Sequence, residues 1–120
     1  MFSYQFYKVV HLGGFFVAFM GLAGLLWAAA TAADKSAKRP ALIFHGLGLL
    51  LALVGGFGMA ARLGMMSGLP GWVHAKIGLW VVLGALPIVA KRMPQHSGKL
   101  WWAIPFFGIL AAYLGVYKPF

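Results

Sequence analysis

The chain has 120 residues, of which 62% are hydrophobic and only 9% are charged, whereas soluble domains carry roughly 25% charged residues. This composition excludes a water-soluble enzyme and a soluble nucleic-acid-binding domain, because one domain of this size cannot bury so much apolar surface. The net charge of +9 arises from ten scattered basic residues and a single acid, Asp34, and it suits loops that face anionic lipid headgroups. Cysteine is absent, which excludes disulfides and thiolate metal sites.

Four apolar stretches are long enough to cross a membrane, because a spanning helix needs about 20 mostly apolar residues. In chain order they cover residues 9–30, 40–63, 72–90 and 100–117, and the connections between them are short. Short connections make neighbouring helices run antiparallel. The sequence therefore predicts an all-α fold, an integral membrane four-helix up-down bundle, in which residues 1–120 form a single transmembrane domain.

The distribution of Lys and Arg predicts the orientation of this bundle. The first and third connections, residues 31–39 and 91–99, hold six of the ten basic residues. The positive-inside rule places these two connections in the cytoplasm and both termini in the periplasm. We therefore expect a multi-pass protein of the bacterial inner membrane.

Small residues recur at every fourth position along one face of the second span. Membrane helices associate where small residues let their backbones approach closely. This small-residue face therefore predicts tight packing, either within the bundle or against a partner subunit or second copy, or else a flat groove for a planar cofactor. A second set of small residues, Gly108, Ala112 and Gly115, lies on the fourth span. The members of the small-residue face are Gly48, Ala52, Gly56, Ala60 and Gly64.

Four ionisable residues lie within the predicted spans, and such residues are functional candidates because they are costly to bury in lipid. His11, His74 and Lys76 lie near the outer ends of the first and third spans, whereas His45 lies near the inner end of the second. Two imidazoles at one depth on facing helices can ligate a haem iron. His11 and His74 are therefore the predicted metal ligands, and haem b is the predicted cofactor.

The other members of the predicted cofactor-binding set are Lys76, His45 and Tyr113. Lys76 has no carboxylate within the spans to pair with, so we expect it to bind a porphyrin propionate or a lipid phosphate, unless it reaches the interface. The alternative for the two outer histidines is a hydrogen bond to a backbone carbonyl or to Tyr113. His45 would ligate alone or with an inner partner such as His96.

Several of these positions match a family pattern. Lys8 and His11 open the first helix, His45 heads the second, and Trp72 and Lys76 open the third. This pattern resembles the SirB family of small four-helix bacterial membrane proteins over nearly the whole chain. The resemblance implies a four-helix fold in a bacterial membrane.

Residues 72–76, with the sequence Trp-Val-His-Ala-Lys, are similar to the third helix of the HemJ-type protoporphyrinogen oxidases. Those small membrane proteins bind b-type haem, and a first-helix histidine and this lysine are important in them. The resemblance implies haem binding, with the corresponding roles falling on His11 and Lys76.

We therefore expect a small inner-membrane protein that binds b-type haem and takes part in electron transfer or porphyrin redox chemistry. The alternative is a non-catalytic accessory subunit of a larger respiratory or photosynthetic complex, which would dock through the small-residue face or form a homodimer through it. Proton-coupled export is disfavoured, because no Asp or Glu lies in any predicted span.

Overall fold

The computed structural model describes residues 2–120, apart from the side chain of Ala37. These residues form five α-helices and one short 3-10 turn and contain no strand, which confirms the predicted all-α class. The helices are α1 (Tyr4–Ala30), α2 (Lys35–Arg62), α3 (Gly71–Arg92), α4 (Ser97–Leu100) and α5 (Ala103–Tyr117), and the 3-10 turn is Pro94–His96.

Three helices of the described chain, α1, α2 and α3, are long and apolar enough to cross a membrane. A fourth span exists only if Pro94–Leu100 and Ala103–Tyr117, which are bent by 45° at the break between them, count as one. Pro105 accounts for the irregular start of α5, because it has no N–H for the Trp101 carbonyl. That carbonyl accepts from the nitrogen of Ile104 at 3.2 Å instead. The continuous fourth span predicted at residues 100–117 is therefore a broken segment, and a four-helix bundle is not confirmed.

The first two long helices begin earlier than predicted. The hydroxyl of Ser3 accepts a hydrogen bond from the nitrogen of Phe6 at 3.1 Å, and this cap starts α1 at Tyr4. Helix α2 starts at Lys35 and continues through Pro40. The missing N–H of Pro40 affects only a carbonyl near the exposed start of the helix.

Gly64, a predicted member of the small-residue face, lies two residues beyond Arg62, the last residue of α2. Gly64 has a φ of 71°, a conformation that glycine adopts without steric cost. The nitrogen of Met65 donates to the carbonyl of Ala60 at 2.9 Å, as in a Schellman C-cap. Gly64 therefore closes the helix and does not extend its packing face.

Helices α1 and α2 pack backbone to backbone. A Cβ atom added to Gly48 would overlap the backbone of Ala18, and one added to Gly14 would overlap the backbone of Ala52. A Cβ on Gly55 would overlap the backbone of His11. The first half of the small-residue face therefore packs within the chain, which was one of the predicted alternatives.

His45 connects three helices near their middle. Its ring is buried, with Nδ1 2.9 Å from the Ala18 carbonyl of α1 and Nε2 2.9 Å from the Leu83 carbonyl of α3. The Leu83 carbonyl needs a donor from outside its helix, because the residue four positions later is Pro87. The indole of Trp80 makes a second link, donating to the Leu49 carbonyl of α2 at 2.8 Å.

The buried core is built from leucine and alanine and includes the three residues whose carbonyls make these contacts. Large apolar side chains cover the outer faces of α1, α2, α3 and α5 and are exposed. Such faces suit lipid, because acyl chains solvate apolar side chains as well as the protein interior does. The core residues are Ala18, Leu22, Leu26, Leu49, Leu83, Leu86 and Ala90.

Candidate ligand cavity

A cavity of about 480 Å³ lies between the α1–α2 pair and the α3–α5 pair. It occupies the end of the molecule where α1 and α3 begin and α2 and α5 end, the end predicted to be the outer one. We call it the His11 cavity. Its volume is in the range of pockets that hold organic ligands and cofactors.

Two walls of the His11 cavity are rich in small residues, which lie among larger apolar side chains such as Leu53, Phe57 and Val116. Helix α2 contributes the middle members of the small-residue face, and α5 contributes the second set named above. Aromatic side chains of α1 and α3 border these walls, among them Phe15, Phe19, Trp72 and Trp80. Walls rich in small residues and bordered by aromatic side chains leave room for a planar apolar ligand. The small residues that line the cavity are Ala52, Gly56, Ala60, Gly108, Ala111, Ala112 and Gly115.

His11 presents one ring nitrogen to a fixed partner and keeps the other available. Its Nδ1 lies 2.7 Å from the carbonyl of Ala52, and because a carbonyl oxygen only accepts, Nδ1 carries the proton and donates. The neutral ring then has its lone pair on Nε2, for which the described residues provide no hydrogen-bond partner. Phe15 packs edge-on against the ring, with centroids 4.9 Å apart. A backbone carbonyl that orients Nδ1–H in this way is the usual support of a metal-ligating histidine.

Three lysines, Lys8, Lys76 and Lys118, line the same cavity. Lys76 is half-buried and extends from α3 towards α5, so that a Cβ on Gly115 would lie 3.3 Å from its Nζ. Lys118 lies over the ring of Trp72, 5.5 Å from its centroid. The single acidic side chain of the sequence, Asp34, lies at the opposite end of the molecule. An anionic ligand would therefore complement the charge of this cavity.

His74 and Tyr113 lie outside the cavity. The imidazole of His74 is exposed, and its Nδ1 lies 3.1 Å from the carbonyl of Pro70, one turn earlier. Tyr113 is 46% exposed and packs against Tyr117, with ring centroids 5.1 Å apart. The structure therefore does not bring His74 to face His11 as a second ligand.

His45 lies deeper than the cavity and does not line it. Both of its ring nitrogens are directed at backbone carbonyls. His96 lies in the 3-10 turn at the other end of the molecule. Of the five predicted cofactor-binding residues, the structure brings only His11 and Lys76 together, and residues 2–120 contain no cluster of three or more His, Asp or Glu side chains able to hold a metal ion.

The spacing of residues along α3 could have identified the cavity face. Trp72, Lys76 and Trp80 recur at every fourth position and line the cavity together. His74 is two residues from Lys76, so it lies about 200° around the helix from it. His74 and Lys76 lie at one depth in the sequence pattern, but depth alone does not show which face of the helix each occupies. Trp80 was not among the predicted site residues.

The small-residue face, predicted as a contact for a partner subunit, is largely used within the chain. Gly48 and Ala52 pack against α1, Gly56 and Ala60 line the His11 cavity, and Gly64 ends the helix. A partner subunit or homodimer thus stays a prediction.

Comparison with known proteins gives no match: no family model, no curated protein and no solved structure matches the chain. The likeness to the SirB and HemJ-type families accordingly stays a prediction.

Proposed function

We propose that this protein holds a planar, amphipathic anion of the porphyrin class, b-type haem, in the His11 cavity within a membrane. The observation that carries the proposal is the combination of groups in one cavity: a histidine with a free Nε2, walls rich in small residues, and three lysines. Haem is an apolar plane with a metal at its centre and carboxylates at its edge. It would therefore match the histidine, the small-residue walls and the lysines respectively.

In this proposal, each part of the cavity has a distinct role. His11 would ligate the metal, and the Ala52 carbonyl holds its ring orientation and tautomer. Lys76, with Lys8 or Lys118, binds the propionates by charge-assisted hydrogen bonds. The small residues of α2 and α5 would leave room for the macrocycle, and the aromatic side chains would exclude water from it.

A bound haem would supply one-electron redox chemistry, and the surrounding burial and charge would adjust its potential. The proposed role is electron transfer or porphyrin redox chemistry. The three long apolar helices and the broken fourth segment would form a four-helix arrangement in the bacterial inner membrane. The excess of basic residues in 31–39 and 91–99 supports periplasmic termini.

The test is the absorption spectrum of protein purified in detergent from haem-replete cells, oxidised and then reduced with dithionite. We expect a Soret band that shifts on reduction, with haem and protein in equal molar amounts. His11 is the one histidine among the described residues that line the cavity, so the spectrum of a haem with two histidine ligands is not expected. A colourless preparation would contradict the proposal.

Two substitutions separate the roles of the outer histidines. His11→Ala is expected to abolish the Soret band, because it removes the metal ligand. His74→Ala is the matched control and is expected to retain the band, because His74 is exposed and lies outside the cavity. Equal loss of the Soret band in both variants would support the paired-histidine site and contradict ligation by His11 alone.

A third variant tests the anion-binding group. Lys76→Gln is expected to keep the band but to bind haem at least about tenfold more weakly, because a hydrogen bond to a charged group is lost. The measurement is titration of haem-free protein with hemin. Unchanged affinity would mean that Lys76 does not contact a propionate.

A further inference from the structure

A second groove lies at the opposite end of the molecule from the His11 cavity. It has a volume of about 760 Å³ and lies between the end of α1, the start of α2 and the end of α3. We call it the basic groove. Its lining residues divide into a charged rim and an apolar floor, and they are not part of the proposed haem site.

The rim of the basic groove carries four cationic side chains. Lys35, Lys38 and Arg39 come from the first two turns of α2, and Lys91 comes from the last turn of α3. All four are exposed. The sequence contains one acidic side chain, Asp34, so it cannot neutralise four cations. Asp34 lies directly before the first residue of α2 and accepts a hydrogen bond from Ser36, so its carboxylate offsets one of the four positive charges at this end.

The floor of the basic groove is apolar. Leu25 and Ala29 of α1, Leu42 of α2 and Ile88 of α3 form it, together with Pro87. These residues belong to helices that are long and apolar enough to cross a membrane. The floor therefore extends from the charged rim towards the part of these helices that would lie in the hydrocarbon core of a membrane. A free phosphate or a nucleotide would use the rim alone and leave this apolar surface unfilled.

We propose that the basic groove binds one anionic phospholipid of the surrounding bilayer. The phosphate lies among Lys38, Arg39 and Lys91, and an acyl chain lies along Leu42 and Ile88. Basic pockets between membrane helices bind anionic headgroups in this way, through several charges of modest strength. The charge complementarity selects an anionic lipid over a zwitterionic one.

The test is native mass spectrometry of delipidated protein in detergent, titrated with phosphatidylglycerol or with phosphatidylcholine of the same acyl chains. We expect saturable binding of phosphatidylglycerol and at least about tenfold weaker binding of phosphatidylcholine. Equal binding of the two lipids would overturn the proposal. Full displacement of phosphatidylglycerol by excess glycerol 3-phosphate would also overturn it, in favour of a site for free anions.

A pair of double variants separates the groove from the general charge of this end. Lys38→Gln with Lys91→Gln is expected to weaken phosphatidylglycerol binding by at least about tenfold. Arg92→Gln with Lys99→Gln removes the same charge from the same end, outside the groove lining, and is expected to change the affinity less than about twofold. Equal losses in the two pairs would overturn the proposal. If the first pair does not yield folded protein, Lys35→Gln with Arg39→Gln carries the same expectation.

Discussion

At the scale of single residues, the histidines of this chain differ in what their ring nitrogens contact. His11 donates from Nδ1 to one carbonyl and keeps Nε2 available inside a cavity. His45 directs both nitrogens at carbonyls of two other helices. His45 therefore connects three helices. A neutral imidazole has only one N–H to donate. The Leu83 carbonyl needs that donor most, because Pro87 has no N–H to complete the helical hydrogen bond.

This pairing predicts a coupling between His45 and Pro87. His45→Leu is expected to lower the free energy of unfolding by about 1–2 kcal/mol, because it leaves a buried carbonyl without a donor. In a Pro87→Ala background the cost is expected to fall by about 1 kcal/mol, because the new N–H of residue 87 can donate to Leu83. The measurement is a double-mutant cycle of reversible unfolding in mixed micelles. Identical costs in both backgrounds would show that the histidine does not replace the missing helical donor.

At the scale of elements, the contact between α1 and α2 depends on the absence of side chains. Gly48 and Gly46 lie on the same helix two residues apart, but they face different surroundings. A Cβ on Gly48 would overlap the backbone of Ala18, whereas a Cβ on Gly46 would meet nothing within 4 Å. Gly46 is also exposed, and Gly48 is buried.

This difference predicts opposite effects for the same substitution. Gly48→Ala is expected to reduce the free energy of unfolding by about 1–3 kcal/mol, because the two backbones must separate. Gly46→Ala, the matched control, is expected to be neutral or to stabilise by up to about 1 kcal/mol through helix propensity. Unfolding in mixed micelles measures both. Equal effects would exclude the close approach at Gly48.

The elements also show which features the sequence pattern could predict. Hydropathy located all the long helices, because a run of apolar residues is a local property. The break near Trp101 was missed, because the consequence of Pro105 depends on the local hydrogen bonds. The separation of His74 from His11 was missed because it depends on helix rotation. The division of the small-residue face depends on which neighbour each residue meets, and a single helix does not contain that information.

At the scale of the whole molecule, the two ends carry different sites. The described chain extends 46 Å along its long axis, which exceeds the roughly 30 Å of a bilayer hydrocarbon core. Both ends can therefore reach the headgroup regions. The His11 cavity opens between helix pairs at one end, and the basic groove lies at the other. Since α1, α2 and α3 line both, the two sites share helices but no lining residue.

This separation predicts that one site can be filled without affecting the other. Ala112→Phe places a large ring in the His11 cavity from the α5 wall and is expected to reduce the haem content at least about tenfold, because the macrocycle would overlap it. Ile109→Phe is the matched control: it lies on the same helix, is 70% exposed and does not line the cavity, so haem content should not change. Phosphatidylglycerol affinity is expected to stay the same in both variants, because the basic groove is untouched.

The measurements are the Soret absorbance per protein and the lipid titration. If Ala112→Phe keeps its haem, the ligand lies outside this cavity, and if it loses both ligands, the substitution has disrupted the fold rather than one site.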